Sequence, residues 1–286
     1  MSRSKRVAPI EIAPKPPRKA PPGLRLTLAA RLYLVLTAAL RLGLGAALRA
    51  LFEVWNVNPN TVARAPGWAG ALYLWQGSLV TLMVSLAAIA LTVRLFRVSI
   101  PGPESKPTLL WYLMGTALAL GSAGLFLLTD SLRLEWPLPR LSPGLLPLWL
   151  LSLVSILAEE LFTKGVLLEN VRRPWGLVLS ALAFFLANGG ASGTVISGVN
   201  VALLGLACGL IYLRRGLWAD VAFRWGWSFA TVFLLGQGGG DHSVFKLYGV
   251  SEVLLTGGDP GFVYGLWMTA LLIIISLVTW KRGSKP

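Results

Sequence analysis

Long apolar stretches dominate the pattern of hydrophobic and polar positions along the 286-residue chain. A helix that spans a membrane needs about 20 mainly apolar residues, because ~30 Å of hydrocarbon is crossed at ~1.5 Å per residue. The 174–213 run is long enough for two spans, and consecutive glycines at 189 and 190 favour a turn that divides it. Charge-free runs of suitable length lie at 65–93, 108–129, 141–158, 174–213 and 260–280.

Two further segments are predicted to be helical although they contain charged residues. The 216–236 segment is apolar apart from Asp220 and Arg224, and the 25–52 segment contains three arginines (Arg31, Arg41 and Arg49). The 25–52 segment either spans the membrane or lies in its interface as an amphipathic helix. The pattern therefore predicts an all-α integral membrane protein, a multi-span helical bundle of about eight spans. We expect a disordered basic tail (1–24), spans 1–3 (25–140) and spans 4–8 (141–286).

Composition supports a membrane protein. Hydrophobic residues make up 55% of the chain and charged residues 13%, whereas a soluble domain carries about a quarter charged residues. The net charge of +14 does not indicate nucleic-acid binding, because Lys and Arg lie mostly in short segments between apolar runs. Under the eight-span numbering, 18 of them fall on one side and 4 on the other. The positive-inside rule then predicts a multi-pass protein of the cell membrane with both termini in the cytoplasm.

The counts of cysteine and histidine limit the chemistry of any site. Cys208 and His242 are the single representatives of their types, so the chain cannot form an intrachain disulfide or a zinc site built from several histidines. A site of carboxylates alone would suit magnesium, calcium or manganese instead. We predict neither a metal nor a cofactor.

The most informative charged residues close the fourth span, where Glu159 and Glu160 are adjacent and Lys164 follows one helical turn later. Adjacent carboxylates repel, which raises the proton affinity of one of them, and Lys164 can pair with Glu160. Such a pair suits a general base that activates water. The simpler interpretation is a solvated, salt-bridged helix end among lipid headgroups.

Spans 5 and 7 add further polar side chains. Asn188 precedes Gly189 and is expected to be the C-cap of span 5. In span 7, Asp220 and Arg224 are one turn apart, so we expect them to neutralise each other, and Ser228 follows on the same face after another turn.

These three places, taken in order, resemble the CAAX protease and bacteriocin-processing (CPBP) family of membrane endopeptidases, which includes the type II CAAX prenyl endopeptidases. The family pattern is Glu-Glu-x-x-x-Arg, then Phe-x-x-x-His, then His-x-x-x-Asn, each on its own membrane helix. The resemblance covers about half the chain, from span 4 to span 8. The matching residues are Glu159, Glu160 and Lys164, then Phe184 and Asn188, then Arg224 and Ser228.

The resemblance implies a CAAX protease-like core at 141–286, with a polar cavity between spans 4, 5 and 7. It implies hydrolysis of a peptide bond in or near the membrane by a water that Glu160 activates, with Glu159 as its partner and without a cofactor. Asn188, Arg224 and Ser228 replace the histidines and the amide of the family pattern. Neither Asn nor Arg transfers a proton near neutral pH, so these departures predict a catalytically impaired site.

Two alternatives stay open, and with them the question of whether the protein is an enzyme. The first is an active CAAX-type endopeptidase with a variant site, and the second is a non-catalytic membrane scaffold or binding protein that uses the same cavity. The expected partners are membrane lipids, together with a prenylated peptide tail or a partner membrane helix, and no nucleic acid. The sequence leaves the substrate and the oligomeric state open.

Overall fold

The structure is a computed structural model that describes residues 23–54, 68–97, 105–129, 132–135, 145–171, 174–188, 195–236, 244–249 and 265–281. Within these ranges the chain forms eight helices and one two-stranded sheet. Helices α1 to α3 cover Gly23–Val54, Trp68–Phe96 and Ser105–Leu128, and strand β1 covers Leu132–Glu135. Helix α4 covers Leu145–Glu160 and continues as a π-helix, Leu161–Leu168. Helices α5 and α6 cover Trp175–Asn188 and Val195–Arg215. Helix α7 covers Leu217–Ser228 and continues as a π-helix, Phe229–Leu234; β2 (Lys246–Gly249) and α8 (Leu266–Lys281) follow.

The eight helices occupy the eight segments that the hydrophobic pattern predicts, which confirms an all-α membrane bundle. The predicted break after span 5 is also confirmed, because α5 ends at Asn188 and α6 begins at Val195. Among the described residues, three helices are long and apolar enough to cross a membrane by length and composition: Leu79–Phe96, Thr108–Leu128 and Val195–Arg215. Shorter apolar helices lie at Trp175–Asn188 and Leu266–Thr279. Most of the predicted tail, residues 1–22, lies outside the described residues.

Helices α3 and α7 cross at very short range, and two glycines permit it. A Cβ atom on Gly115 would lie 2.0 Å from the carbonyl oxygen of Phe223, and one on Gly226 would lie 2.0 Å from the carbonyl oxygen of Tyr112. The Thr116 hydroxyl spans the crossing and lies 3.1 Å from the Gly226 carbonyl oxygen. Small residues of this kind let membrane helices pack backbone to backbone. The crossing therefore fixes the position of α7 and of the charged residues on it.

The core lies between α3, α5, α6, α7 and α8, where Phe184, Ile211, Phe223 and Met268 are buried. A second apolar cluster joins α1 to α4, and in it the ring of Tyr33 stacks on that of Phe162 with centroids 4.1 Å apart. Helix α1 thus packs into the bundle.

The strands form an antiparallel ribbon that the helical pattern did not predict. Leu132 pairs with Gly249 and Glu135 with Lys246, so the α3–α4 connection is joined to the α7–α8 connection. Leu132 and Leu247 are buried against the core, which anchors the ribbon to the helices.

Candidate functional site

The two glutamates of the first motif lie in the interior of a helix rather than at its end. Helix α4 passes Glu160 and continues through the π-helix, whose wider turns often occur at functional sites. Glu160 and Lys164 are both 0% exposed. The interpretation of this segment as a solvated helix end is therefore wrong, because the helix continues and its charged side chains turn towards α5 and α7.

Arg224 on α7 connects the three helices. Its Nη1 donates to Glu160 Oε1 at 2.9 Å, and its Nη2 donates to Glu159 Oε2 at 2.6 Å. Nη2 also donates to Asn188 Oδ1 at 3.1 Å. The guanidinium presents two Nη atoms in a planar fork and can donate from each to a different carboxylate, whereas an ammonium donates from a single nitrogen. We call Glu159, Glu160, Lys164, Asn188 and Arg224 the ion-pair cluster.

The expected ion pair between Asp220 and Arg224 is wrong. Helical spacing allows the pair, but the guanidinium of Arg224 reaches across the helix interface to two carboxylates instead. Two charge-assisted hydrogen bonds to different carboxylates outweigh one contact along the same helix. Both carboxylate oxygens of the fully buried Asp220 remain without a hydrogen-bond partner among the described residues.

Lys164 pairs with Glu160 as the spacing predicted, with its Nζ 3.3 Å from Glu160 Oε2. The Thr163 hydroxyl lies 3.3 Å from the same oxygen and 2.9 Å from the carbonyl oxygen of Glu159. Each carboxylate oxygen of Glu160 therefore already has at least one partner. Because Glu160 is also fully buried, bulk water has no access to this carboxylate.

Phe184 supports both cations of the ion-pair cluster from α5. Its ring centroid lies 4.4 Å from Cζ of Arg224 and 5.2 Å from Nζ of Lys164. Attraction between a cation and an aromatic ring is strongest where water is excluded, and Phe184 is almost fully buried. Sequence reasoning placed Phe184 in the second motif without assigning it this role, because spacing does not show which ring faces a charge.

Asn188 contacts the rest of the ion-pair cluster, whereas Ser228 does not form a hydrogen bond with it among the described residues. Asn188 Nδ2 donates to Glu159 Oε1 and, at 3.0 Å, to the carbonyl oxygen of Phe184. The residue therefore closes α5, as the C-cap prediction implied, and also joins the ion-pair cluster. Ser228 is half-buried one turn beyond Arg224, and within the described ranges no hydrogen bond joins it to the cluster.

A second group of polar atoms lies behind Glu160. One carboxylate oxygen each from Glu160 and Asp220 and the Sγ atom of Cys208 lie within 4.8 Å of one another, and all three residues are buried. Sequence reasoning missed this group, because Cys208 stands alone on α6 and no spacing links it to the other two. Such donors can ligate a divalent cation, but the ammonium of Lys164 lies 3.3 Å from the Glu160 carboxylate. A second cation would be repelled there.

The exposed fraction of the side chains divides the ion-pair cluster into an inner and an outer part. Glu160 and Lys164 form the dry inner part, whereas 19% of the Glu159 side chain is exposed and Asn188 is exposed. Spans 4, 5 and 7 thus meet as predicted, and five of the six predicted site residues come together. Hydrogen bonds and ion pairs join these five side chains.

The part of the chain that contains this site is similar to a known family. No curated protein and no solved structure matches the chain. Residues 141–230 match the family model for type II CAAX prenyl endopeptidase Rce1-like proteins, and this range contains all six predicted site residues. It spans α4 to α7 up to the start of the second π-helix. The segment 141–230 of this chain is therefore similar to the Rce1-like family of type II CAAX prenyl endopeptidases.

Proposed function

We propose that this chain is a catalytically impaired member of that family, in which the former hydrolytic centre holds helices α4, α5 and α7 together. The observation that carries the proposal is the state of Glu160. It is fully buried, and Arg224, Lys164 and Thr163 engage its two carboxylate oxygens. A general base must have a lone pair within reach of the water that it activates.

The remaining side chains support the same conclusion. Peptide hydrolysis also needs a proton donor for the leaving amine and donors for the oxyanion. Arg224 stays charged throughout the accessible pH range and cannot shuttle a proton, and the amide of Asn188 cannot do so either. Loss of a single oxyanion donor typically costs ~10²–10³ in rate. With Ser228 outside the ion-pair cluster, we expect the combined loss to be larger.

We further propose that the protein lies in the cell membrane with both termini in the cytoplasm. Lys164 is buried in the bundle, so it is removed from the loop residues, which leaves 17 Lys and Arg on the cytoplasmic side against 4 on the other. The bias still satisfies the positive-inside rule. The partners that this arrangement favours are membrane lipids, together with a prenylated peptide tail or a partner helix that contacts the exposed edge at Glu159 and Asn188.

The proposal is tested with purified protein reconstituted in lipid bilayers. Wild type and Glu160→Gln are incubated with prenylated CAAX peptides and with an unbiased library of membrane peptides, and cleavage is followed by mass spectrometry. We expect no difference in cleavage, because the wild type has little activity to lose. We also expect Glu160→Gln to melt at a lower temperature, since it leaves Arg224 and Lys164 short of a buried counter-charge, and breaking such a pair costs ~3–5 kcal/mol.

The matched control restores the family's side chains. A triple variant, Asn188→His, Arg224→His and Ser228→Asn, returns the proton-transferring groups and the amide to the same backbone. Cleavage by this variant, absent in wild type, would show that the replaced side chains cause the impairment.

An active endopeptidase with a variant site is the second candidate function. The partial exposure of Glu159 favours it, because water can reach that carboxylate where it cannot reach Glu160. Cleavage by the wild type that disappears in Glu159→Gln or Glu160→Gln, with thermal stability unchanged, would establish this candidate and overturn the proposal of impairment.

A further inference from the structure

Asp220 is a buried carboxyl group that the ion-pair cluster does not use. It lies in the first turn of α7, fully buried, and both of its carboxylate oxygens lack a hydrogen-bond donor among the described residues. Its polar neighbours are a Glu160 carboxylate oxygen and the Cys208 Sγ atom, all within 4.8 Å of one another. A carboxylate is only an acceptor and a thiol is a weak donor. The ammonium of Lys164 also faces Asp220, but it is paired with the Glu160 carboxylate at 3.3 Å, so no cation in the described part of the chain is left to pair with an ionised Asp220.

The balance of charges in the ion-pair cluster points the same way. Lys164 and Arg224 supply two positive charges, and Glu159 and Glu160, at 2.6 to 3.3 Å from them, supply two negative charges. The ion-pair cluster is therefore neutral without Asp220. An ionised Asp220 would add an uncompensated negative charge inside a membrane protein, which is costly.

We propose that Asp220 is a proton-binding site, in which the neutral carboxylic acid donates a hydrogen bond to the carboxylate of Glu160. Two ionised carboxylates would have no donor between them, and protonation of Asp220 supplies the O–H that donates to Glu160. Asp220 then acts as a positioning residue. Together with Arg224, Lys164 and Thr163, it fixes the orientation of the Glu160 carboxylate. The inference goes beyond the proposed function, because the proton is needed for charge balance whether or not Glu160 acts as a base.

Bound metal is the competing explanation for a buried group of Glu160, Cys208 and Asp220. The charged groups that face Asp220 argue against it. They are Glu160 and Lys164 from α4, while Cys208 from α6 is uncharged as a thiol and Arg224, one turn along α7, is turned to Glu159 and Glu160. The Lys164 ammonium already supplies the cation next to the Glu160 carboxylate. Protonation neutralises Asp220 and places no metal ion next to the Lys164 ammonium.

Infrared spectroscopy of the purified full-length chain in lipid nanodiscs tests the proposal directly, because a protonated carboxyl group has a C=O stretch distinct from that of a carboxylate. We expect wild type to show this band at neutral pH and Asp220→Asn to lack it. In wild type carrying ¹³C-labelled aspartate, the band must shift. A band that persists in Asp220→Asn, or that does not shift with the label, would overturn the proposal.

Two matched variants add a stability readout. Asn has the shape of the protonated acid and an N–H that can donate to Glu160, whereas Leu has a similar volume and no donor. We expect Asp220→Asn to melt within about 2 °C of wild type and Asp220→Leu to melt at a clearly lower temperature. Failure of Asp220→Asn to fold, or equal melting of the two variants, would contradict the hydrogen bond. One divalent metal ion per chain in wild type, lost in Asp220→Asn, would replace the proton site with a metal site.

Discussion

Replacing Arg224 with Gln tests the ion-pair cluster most directly. The substitution keeps a polar side chain but removes the charge that faces Glu159 and Glu160, and with it the contact to the Phe184 ring. The Arg224 side chain is 10% exposed, so screening by solvent is weak. Removing one member of a buried ion pair costs ~3–5 kcal/mol. Because Glu160 keeps Lys164, we expect a loss of about 3 kcal/mol, at the lower end of that range.

Thermal unfolding of the reconstituted protein measures this loss. At ~2–4 °C per kcal/mol, the melting temperature of Arg224→Gln should fall by roughly 6–12 °C. Arg224→Lys is the matched control, since it keeps the charge but loses the planar fork of the guanidinium. Its melting temperature should lie between those of wild type and Arg224→Gln. In the double variant with Glu160→Gln, the two effects should be non-additive by ~0.5–3 kcal/mol. An Arg224→Gln protein that melts within about 2 °C of wild type would refute the structural role of the ion-pair cluster.

Two further predictions concern packing and topology. Gly115→Ala should destabilise the protein by at least ~1–3 kcal/mol, because its Cβ would meet the α7 backbone. Gly121→Ala on the same helix has open space and should be neutral or stabilising, and equal melting of the two variants would contradict the close crossing. In a Cys208→Ser background, single cysteines at positions 135 and 245 should react with an impermeant thiol reagent from outside the cell, and those at 103 and 173 should not. Outside labelling at 173 would refute the eight-span topology.

The sequence predicted the helices well because membrane spans depend on a property that composition displays directly, about 20 apolar residues in a row. The sequence also predicted the pairing of Glu160 with Lys164, because residues four apart on a helix are neighbours. Spacing was misleading for Asp220 and Arg224, which are also four apart. There the choice between a partner on the same helix and two partners on α4 depends on the packing of helices that lie over 60 residues apart in sequence.

The burial of Glu160 could not be predicted from its position at the end of an apolar run. The burial depends on the continuation of α4 as a π-helix, Leu161–Leu168. The composition of this segment does not distinguish a π-helix from an ordinary α-helix. The ribbon was missed for a similar reason. Each strand is four residues long, and the partner of Leu132 lies beyond four intervening helices, so local alternation of apolar and polar residues does not reveal the pairing.

The ribbon has a consequence for the number of membrane crossings. Hydrogen-bonded strands must lie on the same side of the bilayer, so the chain between Glu135 and Lys246 returns to the side from which it left. An even number of crossings is therefore required between the two strands, whatever the distribution of charge. The four helices α4 to α7 meet this parity condition if each of them crosses. Insertion or loss of a single span in this interval would separate the strands and break the pairing of Leu132 with Gly249.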